Sequence, residues 1–444
     1  MVNALNHPIF QESKKQPIGR LCFPAGINTY IMEIPQHAWS RRKFVTTLSG
    51  AGAIIMLNPS FAWASGEEED PRIAAIVAKT MGIDTHNHVD VPLNAAELPG
   101  PKLDLAGEMK KSGLLAICTT FAVDYQELRT PDIAYERFLN GLTAMDAVLK
   151  TNNMTRALTM ADLTAAHKNH RKTVIQSVEG GHFLEGKIDR LAVAYNRGLR
   201  HLTLLHDNDA SVPLGDVFTN PAQWGGLTKF GAEVIKECNR TGILVDMSHA
   251  TNETVNAALK IATKPILVSH TGLDTQLGKN ENMAKMMRPR LISKEQAKIV
   301  ADAGGVIGVW THLAESPLEY AQNIRAMVDV AGIDHVCIGT DTKLTPPYRS
   351  PNDAGRKPGN NVQQGSNNHD SKEAPKAENM RRGPGGDSKP KMGGGTNEAW
   401  AGQKSGFYYT VVEALLQTGF NEDEIGKIGG GNFCRIFDAA TKGH

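Results

Sequence analysis

The sequence predicts an α/β fold, a (β/α)8 barrel of the TIM type with C-terminal helices and a long low-complexity insertion after the eighth strand. Three observations predict it. Eight short apolar runs recur between residues 81 and 343, with helically spaced stretches between them. The runs are near-continuously apolar, as parallel strands covered on both faces must be. Histidines and acids collect at the C-terminal ends of the runs, the face of such a barrel where chemistry sits.

In chain order the runs are MGIDTHNHV (81–89), LLAICTTFA (114–122), TVIQSVEGG (173–181), LRHLTLLHD (199–207), GILVDMSHA (242–250), PILVSHTG (265–272), GGVIGVWTH (304–312) and HVCIGTDTK (335–343). Among the helical stretches, TKFGAEVIKECNRTG (228–242) and SKEQAKIVADAGG (293–305) are clearest, the second with Ser293 as N-cap ahead of Gln296 and glycines as its stop. Eight units in about 260 residues match the size of one barrel. Residues 345–398 are rich in Gly, Pro, Asn and Lys and too poor in apolar residues to bury a core, so a long flexible loop is expected at the barrel mouth. A solvated insertion is the simpler reading and a lid the alternative. The chain then resumes with FYYTVVEALLQTGFNEDEIGKIGGGNFCRIF (407–437), expected as an amphipathic helix, a turn and a second helix that closes the barrel.

The first 64 residues read as an export signal. Arg41 and Arg42 in SRRKFV precede a short, moderately apolar run, and Ala62-Trp63-Ala64 offers a small-x-small cleavage site. That order is a twin-arginine signal, removed to leave residues 65–444, and it predicts a bacterial protein in the periplasm or secreted. The apolar run is too short and too broken by Gly and Ser to be a stable membrane span. Lys plus Arg (48) nearly cancel Asp plus Glu (47), which argues against nucleic acid or an anionic membrane as the main partner and favours a small molecule. Cys118, Cys238, Cys337 and Cys434, which would remain after cleavage, show no CxxC spacing and read as buried thiols.

The candidate site residues are His86 and His88 on the first run, Glu179 on the third, His206 on the fourth, His249 on the fifth, His270 on the sixth and Asp341 on the eighth. Imidazoles and carboxylates converging at one end of a barrel are the ligands that zinc and similar divalent ions take. Two such ions bridged by a carboxylate activate a water and polarise a carbonyl. Residues i and i+2 of a strand share a side, so His86 and His88 reach one ion together. Asp90 has the same parity but lies next to Pro92, where the strand becomes a loop. Asp84 lies deeper, and orientation of an imidazole is its expected role.

SVEGGH, LRHLTLLHDN, LTKFGAEVIKECNRTGILVDMSHAT, PILVSHTG, HVCIGTDTK and EIGKIGGGNFCRIF, in that order, resemble the successive signatures of the membrane (renal) dipeptidase family of zinc peptidases, over residues 80–344 and 407–438. The resemblance implies a (β/α)8 barrel with two divalent metal ions, expected to be zinc, that hydrolyses dipeptides and often tolerates a C-terminal D-residue. By motif, Glu179 resembles the bridging carboxylate, and His249 and His270 the ligands of the second ion. His206 resembles the histidine that stabilises the oxyanion of the tetrahedral intermediate. Asp341 resembles the acid that accepts the proton of the attacking water. Arg290 sits where the family grips the substrate carboxylate, with Arg288 close by as the other candidate.

The opening stretch departs from the family pattern, which reads Asp-Gly-His-Asn-Asp, an apolar residue and proline. Aligned from the left, His86 and His88 are the ligand pair; aligned from Pro92, His88 and Asp90 are. The first register is preferred, and it replaces one anionic ligand by a neutral one. The spacing from His270 to Arg290 is longer than the pattern suggests, and the insertion after Asp341 is foreign to it.

The leading expectation is therefore an exported binuclear metallo-dipeptidase. Its expected partners are a dipeptide-like substrate, the twin-arginine export machinery and, as an open assembly state, a second copy in a homodimer. An amidohydrolase-type enzyme acting on a β-lactam, an N-acyl amino acid or a lactone is the alternative. A barrel that has lost activity is the remaining reading, against which all but one of the family positions are filled.

Overall fold

Parallel strands buried on both faces need helices outside them and a filled interior within. A computed structural model describes residues 70–125, 128, 130–348, 350 and 395–444. The expected export signal lies outside the described residues.

The strands are β1 (Ile83–His88), β2 (Ala116–Thr120), β3 (Thr173–Glu179), β4 (Leu199–Thr203), β5 (Leu244–Asp246), β6 (Leu267–Thr271), β7 (Val306–Val309), β8 (Val336–Ile338) and β9 (Thr342–Lys343). β1 to β8 pair in parallel in sequence order, and β1 pairs with both β8 and β2, which closes the barrel. Each of the eight apolar runs contains one of these strands. β9 adds a short parallel pairing outside β1.

The helices are α1 (Pro71–Lys79), α2 (Leu105–Ser112), α3 (Ile133–Thr151), α4 (Met160–Lys168), α5 (Arg190–Asn196), α6 (Lys229–Thr241), α7 (Asn252–Leu259), α8 (Glu281–Met287), α9 (Lys294–Asp302), α10 (Pro317–Ala331), α11 (Phe407–Gln417), α12 (Glu422–Gly426) and α13 (Asn432–Thr441). Their ends follow local chemistry. Ser293 accepts from the Gln296 N–H at 3.1 Å, and α6 runs from a Thr228 cap to Gly242 in the left-handed region at φ 86°. Among the described residues no helix is long and apolar enough to cross a membrane.

Two layers of core divide the barrel's work. The larger packs strand exteriors against the helices. The smaller joins the first residues of several strands, among them Ile83, Ala116, Leu244, Leu267 and Val306, to Phe433, Ile436 and Phe437 of α13. The C-terminal helix thus plugs the barrel floor, each aromatic contributing roughly 1.5–3 kcal/mol through burial. Cys118, Cys337 and Cys434 lie in this layer and Cys238 in the larger one, all as free, buried thiols. The expected second C-terminal helix is in fact two: Lys427–Gly431 forms a π turn between α12 and α13. A Cβ on Gly430 would come within 2.0 Å of the Met81 carbonyl, so the glycine run lets the chain pass under β1.

The insertion expected over 345–398 falls largely outside the described residues, but its last four are part of the fold. Gly395 bridges to Lys343, and Thr396 is buried, bonded to Asn87 Nδ2 at 2.9 Å and Thr342 Oγ1 at 2.7 Å.

Candidate active site

Glu179, the last residue of β3, holds its carboxylate at the centre of five imidazoles. Oε1 lies 3.0 Å from His249 Nε2, 3.3 Å from His86 Nε2 and 3.7 Å from His270 Nε2; Oε2 lies 3.4 Å from His206 Nε2 and 3.7 Å from His88 Nε2. The five imidazoles come from four parts of the barrel wall: His86 and His88 from β1, His270 from β6, and His206 and His249 from the turns after β4 and β5. All are nearly or fully buried.

A second set of groups holds the rings in place. His249 Nδ1 faces Asp207 at 3.0 Å, and His206 Nδ1 faces Asp124 at 2.6 Å. His270 Nδ1 meets Ser269 Oγ at 2.9 Å, and that hydroxyl donates to Asp246 at 2.6 Å. Bonding Nδ1 outward leaves Nε2 pointing inward, the arrangement that fixes tautomer and direction in metal-binding histidines. Sequence reasoning missed Asp124 and Asp207, because their partners lie 82 and 42 residues away.

Asp341 follows β8 and faces the same cluster. Its Oδ1 is 3.2 Å from His88 Nε2 and 3.8 Å from His86 Nε2, while Oδ2 is held at 2.8 Å by His312. His312 was also missed, although it ends the seventh apolar run and obeys the rule that found the others. His249 and Asp341 both have left-handed backbones, at φ 68° and 55°. Neither is glycine, and each such residue costs about 1–3 kcal/mol, a cost found where function holds the backbone.

The strand β1 residues divide differently from expectation at one point. His86 and His88 both converge on Glu179. Asp90 instead pairs with Lys343 at 2.5 Å, away from the Glu179 carboxylate. Asp84 touches no imidazole ring directly: its carboxylate accepts from the His86 backbone N–H at 3.3 Å, Thr340 N at 2.8 Å, Thr340 Oγ1 at 2.6 Å and Asn87 Nδ2 at 2.8 Å. Parity places Asp84 on the inner side, but the nearest donors there are on the segment that ends β8, so Asp84 ties β1 to the turn carrying Asp341.

The donor set fits divalent cations. His86 Nε2 and Glu179 Oε2 are buried without a hydrogen-bond partner, and the Nε2 atoms of His249 and His270 lie 3.0 Å apart. Three groups of ligand atoms could each hold an ion: His86, His88 and Glu179; His86, His270 and Asp341; and Glu179, His206 and His249. With protons alone at the site, burial works against charge on His86 and His206, but Glu179 outweighs it and lifts them to about 9 and about 10. Burial raises the Glu179 carboxyl, yet His206 and His86 hold it well below the usual carboxylate range. Burial likewise opposes ionisation of Asp124, and the facing His206 brings it to about 2.

Arg290 reaches the cluster from the segment after α8. It donates to Asp207 Oδ2 at 2.8 Å and lies over the Phe218 ring, 5.4 Å from its centroid. Arg288 is exposed and lines none of the three cavities that meet here. The central cavity, about 240 Å3, is bordered by Glu179, His206, Arg290, His312 and Asp341. A larger one of about 370 Å3 shares His249 and Arg290 with it, and a smaller one of about 170 Å3 shares His88, Tyr125 and Lys343.

Known proteins resemble this chain. A family model described as membrane dipeptidase (peptidase family M19) matches residues 71–347. The chain is 27% identical over 294 residues, 58% of its own length and 68% of the relative's, to the uncharacterized dipeptidase C965.12 of Schizosaccharomyces pombe. Solved structures share the fold. An amidohydrolase from Pseudomonas aeruginosa aligns at a TM-score of 0.62 with 21% identity, covering 83% of this chain and 99% of that one. The probable dipeptidase PvdM from the same organism aligns at 0.60 with 15% identity, covering 84% and 98%. A metallo peptidase from Rhodobacter sphaeroides, liganded with a phosphinate mimic of the dipeptide L-Ala-D-Ala, aligns at 0.52 with 15% identity, covering 81% and 99%.

Proposed function

Because the chain belongs to the membrane dipeptidase family, peptidase family M19, and is with it a metallo-dipeptidase, we propose that it binds two divalent cations, zinc by ligand type, and hydrolyses dipeptides including those with a C-terminal D-residue. The observation that carries this reading is the ring of five inward-facing Nε2 atoms around one buried carboxylate, with His86 Nε2 and Glu179 Oε2 left without hydrogen-bond partners.

His86 and His88 would hold one cation, His249 and His270 the other, and Glu179 would span both. Bound there, the pair supplies Lewis acidity, which acidifies a water and polarises the scissile carbonyl. Asp341 stands ready to take that water's proton: one oxygen faces the β1 histidines while His312 fixes the other. His206, its Nδ1–H held by Asp124 and its ring kept protonated by Glu179 and Asp124 against the cost of burial, presents Nε2–H as a donor to the oxyanion. Arg290 grips the substrate α-carboxylate, exchanging or sharing Asp207. With His88 where the family pattern has an acid, the β1 pair is one charge more positive, and metal preference or occupancy shifts accordingly.

Export by the twin-arginine route to the periplasm belongs to the same proposal. It is supported by the order Arg41-Arg42, short apolar run and Ala62-Trp63-Ala64, and a route that moves folded proteins suits an enzyme that loads metal first.

Hydrolysis of L-L and L-D dipeptides by metal-loaded protein, abolished by chelator, is the expected result. No turnover of either class with metal bound would overturn the reading.

A further inference from the structure

We infer that Asp207 couples the two halves of the site: a carboxylate taken up by Arg290 frees Asp207 to bond more strongly to His249, so that substrate binding tightens the hold on a cation at His249. This rests on the metal and carboxylate assignments of the dipeptidase reading and adds to them a positioning residue through which they communicate.

Asp207 divides its carboxylate. Oδ1 lies 3.0 Å from His249 Nδ1, and Oδ2 accepts from Arg290 Nη2 at 2.8 Å. One oxygen thus meets the outward nitrogen of an imidazole aimed at Glu179, and the other meets the guanidinium assigned to the substrate. Asp124, the acid on His206, is built differently and turns its second oxygen to Asn208 Nδ2 at 3.1 Å. Asp207 and Arg290 both border the central cavity, so a substrate carboxylate that reaches the guanidinium arrives beside Asp207.

The surroundings confine the exchange to side chains. Phe218 stacks on the His249 ring, with centroids 5.2 Å and planes 21° apart, and lies under the Arg290 guanidinium. The Phe218 N–H donates to the His249 carbonyl at 3.1 Å, and Thr219 Oγ1 donates to the Asp207 carbonyl at 2.6 Å. Thr271 Oγ1 fastens the Arg290 carbonyl in the same way at 2.8 Å. With these backbones tied, what can change is which acceptor the guanidinium uses. The Arg290 and Asp207 side chains are 25% and 32% exposed, against 3% for His249, so substrate meets the pair while the imidazole stays shielded.

Charge sets the direction. A guanidinium prefers a bidentate carboxylate, so substrate draws the Arg290 fork from Asp207 or shares it between two anions. Either way, less of the Asp207 charge is neutralised by Arg290 and more acts on the His249 Nδ1–H. A stronger acceptor on the outward nitrogen makes the inward nitrogen a better ligand. By linkage, a bound cation improves carboxylate binding by the same factor.

Competition with a chromogenic chelator measures zinc affinity on the purified protein. Propionate supplies a carboxylate, and propionamide at equal ionic strength is the uncharged control. In wild type, propionate should tighten zinc by about fivefold or more relative to propionamide. Asp207→Asn should weaken zinc by about 10- to 100-fold and remove the propionate effect, and Asp207→Glu should recover part of both. Arg290→Gln should bind zinc but lose the propionate effect. Equal affinities in propionate and propionamide for wild type, or a propionate effect that survives in Asp207→Asn or Arg290→Gln, overturns the inference and leaves the dipeptidase reading intact. Protein that binds no zinc under any of these conditions overturns both.

Discussion

His206 Nδ1 meets Asp124 Oδ1 at 2.6 Å, on the side of the ring opposite Glu179. Asp124 accepts from Nδ1–H, and although burial opposes charge, Glu179 and Asp124 together raise the ring to about 10, so His206 is protonated at both nitrogens and Nε2–H faces the central cavity as a donor.

Asp124→Asn should therefore lower kcat by about 10- to 100-fold, as loss of a group that orients a site histidine does, while metal content stays unchanged. Steady-state kinetics with metal analysis checks this. Unaltered kcat would remove Asp124 from the mechanism.

The same pair predicts a pH effect on chelated protein. His206 is raised from 6.5 to about 10, so its contribution to stability is complete below about pH 6.5 and lost as pH rises through about 10. Asp124 is lowered from 3.8 to about 2, so its contribution is present above about 3.8 and lost as pH falls through about 2. Chemical denaturation at pH 6 and pH 9 should show wild type losing stability on the basic side. Asp124→Asn, which breaks a buried pair at a cost of about 3 kcal/mol, should show a shallower loss.

The register of β1 can be read from metal content. His86→Ala and His88→Ala should each lose bound metal and most activity. Asp90→Ala removes only the partly exposed pair with Lys343, worth about 0–1 kcal/mol, and should keep its metal. Metal loss in Asp90→Ala with retention in His86→Ala would restore the other register.

Metal loading should release protons. His86 is held at about 9 by Glu179, so at neutral pH a cation must displace its proton. Calorimetric titration in buffers of different ionisation enthalpy should report about one proton or more released, with apparent affinity rising with pH up to about 9.

His312 holds one oxygen of Asp341. His312→Ala should reduce kcat by about tenfold or more with little change in KM, and His312→Gln, which keeps a donor, should recover part of it. Equal kcat in all three proteins would assign His312 to structure alone.

Much of this architecture is legible in the chain, for reasons that particular residues make plain. Strand placement could be read because parallel strands need continuous apolar runs, and the position of His86, Glu179 and His270 because barrel chemistry gathers at strand ends. Asp124 and Asp207 were not legible, since each acts on a histidine brought close only by the fold. Asp84 shows the limit of parity: spacing gives the face of a strand but not the neighbour that waits there. The split between α12 and α13 escaped because the glycine run satisfies a contact with Met81 rather than a turn signal of its own.

The bridge between Lys343 and Gly395 makes the chain leave the barrel and return to it at adjacent points. A segment whose ends are already fastened side by side behaves as a cassette. Each doubling of its length costs the fold only about 0.6 kcal/mol in closure entropy, and the fastening sits on β9, next to β1 with His86 and His88. Leu344 and Thr345 are buried, and Tyr348 and Ser350 bond to Glu97, so changes in length that spare these residues should leave the ring of site residues beneath its geometry. That leaves evolution, or an engineer, a position for altering the rim of this site independently of its chemistry.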